Sequence, residues 1–128
     1  MNPARRLFIL VHRQGFEALY QAASLALTAG AMGDEVTVVV FFGALLTLCG
    51  KLPYADDPAA VRSVALGLPD PRHMLGDGRH TAGVRMVTSE TAVRLAGLDL
   101  DTVRPYVDEI VGLATLWKRA EGAQLLYI

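Results

Sequence analysis

The stretch 83–98, GVRMVTSETAVRLAGL, decides the fold. Val84, Met86 and Val87 suit a buried strand, and Thr88 or Ser89 suits the N-cap of a helix that follows directly. Ala92, Val93, Leu95 and Ala96 give that helix an apolar face to lay back on a sheet, and Gly97 stops it. Strand, tight turn and helix in this order form a βα unit of a parallel sheet. In such sheets ligands sit at the C-terminal ends of the strands, against helix N-termini. Thr88 and Ser89 stand at that place.

Two similar units precede it. Residues 7–11, LFILV, form a continuous apolar run, as expected of a strand covered on both faces. His12, Arg13, Gln14 and Gly15 make the turn. From Phe16 to Met32, Phe16, Leu19, Tyr20, Ala23, Ala26 and Leu27 recur at helical spacing on an alanine-rich face, and Gly33 ends the helix. Residues 36–42 read as the second buried strand. Gly43 breaks it, and 44–48 form a short helix ending at Gly50.

The segment 51–82 is a loop-rich insert. Within it, Asp57-Pro58 reads as the N-cap and first residue of a short helix running to Leu66, with Gly67 as its stop. LPDPRHMLGDGRHTAG, dense in Pro and Gly, reads as a solvated loop. Its sharper reading is a lid offering Arg72, His73, Arg79 and His80 to an anion. His73 and His80 with Asp70 and Asp77 match no metal-site spacing, so neither metal nor cofactor is expected. After the third unit come a helical turn at 101–104, a short strand within 106–111, and a helix opened by Gly112. Leu113, Leu116, Trp117 and Ala120 share one face of that helix. Gly122 stops it, and 124–128 form a last strand. Trp117 and Tyr127 read as core or interface residues.

The bulk composition agrees with this plan. The chain has 128 residues, 52% apolar and 20% charged, with net charge −1 and mean hydropathy +0.34. That is one domain, 1–128, with a real core and enough apolar surface for a subunit interface. The charge excludes a nucleic-acid footprint. The longest apolar run, 36–49, is shorter than the roughly 20 residues a membrane helix needs. The N-terminal run lacks the length and cleavage site of a signal peptide. A single cysteine, Cys49, excludes an internal disulfide and fits a reducing compartment. Together these point to a cytoplasmic protein.

Three stretches carry a family resemblance. ALYQAASLALTAGAMGDEVTVVVFF resembles the first helix and second strand of the DsrE/DsrF-like family, with its A-M-G turn and V-x-x-F-F strand. GVRMVTSETAVRLAGL is similar to that family's third strand and following helix. VDEIVGLATLWKRAEGAQLLYI resembles its closing strand–glycine–helix–strand. The resemblance covers nearly the whole chain apart from 51–82. It implies a three-layer, doubly wound α/β fold with a mostly parallel sheet of about five strands and helices on both faces. It also implies a homo-oligomer, trimer or hexamer. Several family members relay sulfur as a cysteine persulfide, which would bring a sulfur-relay partner protein. Their cysteine sits just after the third strand, at the position of Ser89. A serine hydroxyl cannot carry a persulfide and is barely ionised near neutral pH.

The candidate ligand pocket is therefore His12, Arg13, Phe42, Gly43, Thr88 and Ser89, all at the C-terminal edge of the expected sheet. His12 and Arg13 suit an anionic group. Ser89 serves as a helix cap or as an anion donor, and Glu90 suits the helix dipole. No G-x-S-x-G elbow supports a hydrolase. Cys49 shares the apolar face of Leu45 and Leu46 and reads as a small buried hydrophobe. Its sharper reading is a displaced sulfur carrier, with Lys51 close enough to lower its pKa. Three functions follow: a non-catalytic small-molecule or anion binder, a sulfurtransferase working through Cys49, and a structural partner-binding subunit. The first is the expected one, with self-association as its companion.

Overall fold

The computed structural model describes residues 4–128, with only the backbone described at His80 and Thr81. The chain alternates strands and helices as β1 (Arg6–Val11), α1 (Phe16–Ala31), β2 (Glu35–Val40), α2 (Phe42–Leu48), α3 (Pro58–Ala65), α4 (Pro71–Thr81) and β3 (Arg85–Ser89). It continues with α5 (Glu90–Leu95), α6 (Leu100–Val103), a 3-10 turn (Arg104–Tyr106), β4 (Glu109–Val111), α7 (Leu113–Arg119) and β5 (Gln124–Tyr127). The five strands pair in parallel in the order β4-β3-β2-β1-β5. This is the expected doubly wound sheet.

The order fixes how each face is covered. The chain moves one way across the sheet from β1 to β4, and right-handed crossovers put those connecting helices on one side. It then reverses from β4 to β5, which puts α7 on the other. Strand alternation sorts the side chains accordingly. Leu7, Ile9, Val11, Val36, Val38, Val40 and Met86 enter the main core beneath α1. The alanine face of α1 (Ala18, Ala22, Ala23, Ala26) is buried there, so helix and sheet approach closely. On the opposite face Phe8, Val39 and Val87 meet Leu116. Burying one such leucine is worth about 2 kcal/mol. Leu116 is the buried residue of α7, while Leu113 and Trp117 are 65% and 75% exposed.

Two elements differ from the expectation. Residues 71–81 form helix α4 rather than a loop or lid. Asp70 caps it, accepting from the Arg72 N–H at 2.8 Å, and Pro71 takes the first position, as Asp57 and Pro58 do for α3. α4 packs closely on α1 at Gly78, where a Cβ would come within 2.6 Å of Leu27 Cδ2 and require that side chain to shift. The second strand ends at Val40, earlier than expected, and Phe42 opens α2 with a φ of +48°. Gly43 lies inside that helix rather than breaking the strand.

Candidate functional site

Where β1, β2 and β3 end, backbone bonds bind the exits together. The Phe41 N–H donates to the Val11 carbonyl at 2.9 Å, and the Ala44 N–H donates to the His12 carbonyl at 3.1 Å. These bonds hold the first turn of α2 against the exit of β1. A Cβ at Gly43 would sit 2.8 Å from the Gln14 Cβ, so only glycine allows this approach. Thr47 Oγ1 completes the join: it donates to the Gly43 carbonyl at 2.8 Å and accepts from the Gly15 N–H at 3.1 Å. With both neighbours fixed, Phe42 is held in the left-handed region, which costs on the order of 1–3 kcal/mol for such a residue.

The six expected pocket residues lie along the same edge, and their side chains are engaged in different ways. Thr88 is fully buried, and its Oγ1 donates to the Val40 carbonyl at 2.6 Å. Ser89 is buried and caps α5, accepting from the Ala92 N–H at 3.0 Å. Gly43 serves the α2–β1 approach. His12 is half-buried, with its ring 5.1 Å from that of Tyr127. Arg13 is exposed and has no ion pair among the described residues. Phe42 is 45% exposed beside Phe41, ring to ring at 5.8 Å. Glu90 pairs with Arg94 at 2.8 Å on the surface of α5.

The concavity at this edge lies on the α7 side of the sheet. It is an apolar groove of about 280 Å³, floored by Phe8 and Leu10 and walled by Phe41, Phe42, Leu113, Leu125 and Tyr127. Of the expected residues only Phe42 lines it, and His12 reaches it through Tyr127. The remaining lining residues had a signal in the sequence: Leu10, Leu125 and Tyr127 alternate onto the face that one short helix must cover.

Cys49 ends α2 inside the main core at 6% exposure. Burial pushes its thiol pKa up, against the opposing pull of Arg72 and Lys51. Arg72 is fastened in place: its Nε donates to the Leu48 carbonyl at 2.9 Å, and its guanidinium lies 5.7 Å from the Tyr106 ring. Arg79 donates to Asp108 at 3.0 and 3.1 Å and to the Pro105 carbonyl at 3.0 Å. Both arginines therefore join α4 to its neighbours. His73 is exposed, and the His80 side chain lies outside the described residues. Tyr54 donates to the same Asp70 carboxylate that caps α4, and burial and that bond raise its pKa.

At the opposite edge, on the same face as the groove, Arg85 and Arg119 both pair with Glu109, and Arg6 donates to the Arg119 and Glu121 carbonyls. These contacts pin the C-terminal end of α7 to the sheet. They hold the Glu109 carboxyl below its usual range, the Arg85 bond contributing most. Among the described residues no helix is long and apolar enough to cross a membrane.

Comparison of the sequence with family models and with curated proteins finds no match. Comparison of the structure finds the crystal structure of the ychN protein from E. coli, with a TM-score of 0.69 and 16% identity, covering 97% of this chain and 99% of that one. At that identity the likeness is one of fold, and it supports the DsrE/DsrF-like fold to which the sequence motifs point.

Proposed function

We propose that this protein is a non-catalytic, self-associating domain of DsrE-like fold that holds a small, largely apolar molecule at the C-terminal edge of its sheet. The groove between Leu10, Phe42, Leu113 and Tyr127 carries this reading. It lies at the strand ends where open α/β sheets bind ligands, and it has the concave apolar lining of a small-molecule site. His12 stands against the lining residue Tyr127, and with the exposed Arg13 next to it in the chain it suits an anionic group on the ligand. The strained Phe42 is a further support, because such strain concentrates at binding sites. A ligand anchored chiefly by the Thr88 and Ser89 hydroxyls has less support, since both are engaged inside the fold.

Self-association is the companion reading. Phe42, Leu113, Trp117, Leu125 and Tyr127 are all exposed on or beside one sheet face, and a patch of that kind marks an interface. A trimer or hexamer is what the family resemblance implies. Sulfur carriage by Cys49 has the least support, because a buried thiol with a raised pKa makes a poor nucleophile.

Titration with 1-anilinonaphthalene-8-sulfonate, an apolar ring system bearing an anion, tests the ligand reading. Binding should saturate at one site per chain and weaken about tenfold or more in Leu113→Glu, which removes an apolar wall and sets a negative charge beside the anionic dye. Equal binding by the two folded proteins would exclude the groove.

A further inference from the structure

The two edges of the sheet differ in how they are guarded. β4 is three residues long, and its Glu109 is held by Arg85 and Arg119. Short, charged edges of this kind resist pairing with another chain. β5, Gln-Leu-Leu-Tyr, carries no charge and no proline. The Ile128 N–H donates to the Leu10 carbonyl at 2.7 Å, and the Ile128 carbonyl accepts from the His12 N–H at 3.0 Å. Backbone groups alternate along a strand, so those of Leu126 also face β1, and those of Leu125 and Tyr127 face the open edge. Both residues are exposed, at 47% and 69%.

We infer that β5 pairs antiparallel with β5 of a second copy of this chain, about a two-fold axis passing beside Leu126. The inference rests on the self-association reading above and gives it a geometry. In that register Leu125 of each chain faces Tyr127 of the other, and each facing pair exchanges both of its backbone bonds. A neutral edge meets itself with no like charges opposed, which makes it self-complementary as an isologous contact requires. The Leu125 and Tyr127 side chains of both copies then lie on the α7 side, continuous with the exposed Leu113 and Trp117. The copy's Tyr127 comes beside Leu125 and adds a wall to the groove.

Sedimentation velocity on the full chain, with Leu125→Pro and Leu125→Ala, tests this. Proline at 125 removes an N–H that points away from β1, so the internal ladder stays intact. Alanine keeps that N–H and trims only the side chain. The wild type should be a dimer or another even-numbered assembly with two-fold axes. Leu125→Pro, folded by circular dichroism, should have half its mass, and Leu125→Ala should keep the full mass. A folded Leu125→Pro of unchanged mass, or a wild-type trimer, overturns the pairing but leaves self-association standing; a wild-type monomer overturns both. Amide exchange on the wild type decides the case if Leu125→Pro does not fold. The Leu125 and Tyr127 amides should be protected in the assembly and lose protection on dilution, and fast exchange in the assembled protein overturns the pairing.

Discussion

The Thr88 Oγ1 lies 2.6 Å from the Val40 carbonyl oxygen, so a hydroxyl at the ligand-binding edge of the sheet joins β3 to β2. Thr88→Val keeps the shape and removes the donor. It should lower stability by about 1 kcal/mol in denaturant titration while leaving dye binding in the groove unchanged. Ser89→Ala should cost a similar amount, about 1 kcal/mol, through loss of the α5 cap. A large loss of binding in either folded variant would return these residues to the ligand site.

Phe42 separates backbone strain from side-chain packing. Phe42→Ala and Phe42→Gly both remove the ring and differ in their tolerance of a φ of +48°. At an ordinary helix position alanine is the better residue by about 1 kcal/mol. Here the order should reverse, with Phe42→Gly the more stable by about 1 kcal/mol in thermal or denaturant melts.

Acid should loosen α7. The Arg85 and Arg119 guanidinium groups hold the folded-state pKa of Glu109 below the usual carboxylate value by favouring its charged form. Its contribution is therefore complete above the unfolded pKa and is lost as pH falls through the lower folded one. The stability difference between wild type and Glu109→Gln should be constant near neutral pH and shrink below about 4.5. With the carboxylate partly solvated, the difference should not exceed about 1 kcal/mol.

Cys49 should label slowly with maleimide in the native protein and rapidly in denaturant, since burial suppresses both access and the thiolate. Incubation with a cysteine desulfurase and cysteine should add no reductant-sensitive sulfur to the intact mass. A gain that Cys49→Ser abolishes would revive the sulfur-carrier reading.

The strands and α1 were legible because their pattern is strong: 7–11 is apolar throughout, 36–40 is β-branched throughout with four valines, and the alanines of α1 recur at helical spacing. The sequence left the α5 cap to Thr88 or Ser89 and left Ser89 a second role as an anion donor; the bond from the Ala92 N–H assigns the cap to Ser89. α4 was hidden by Gly76 and Gly78, which lower helix propensity and whose tolerance depends on tertiary contact. The Asp70-Pro71 start repeats the Asp57-Pro58 signal and was open to the same reading. The groove was not legible from any single segment. Its lining comes from β1, β5, α7 and the start of α2, and its openness follows from the reversal between β4 and β5. Local pattern places Thr88 at a strand end, but its bond to Val40 requires the register of the neighbouring strand.

The single helix on the α7 side also bears on the order in which the molecule is built. β1 to β4 lie side by side in chain order, so each can pair with the strand before it through a crossover of modest length. β5 pairs with β1 across nearly the whole length of the chain, after α7 has traversed the full sheet. Loop closure on that scale comes late in folding, when the partner surface already exists. Held by Leu116, the Arg6 and Arg119 contacts and one parallel ladder, α7 and β5 should dock last and open first, which native-state amide exchange would read as the lowest protection among the sheet strands.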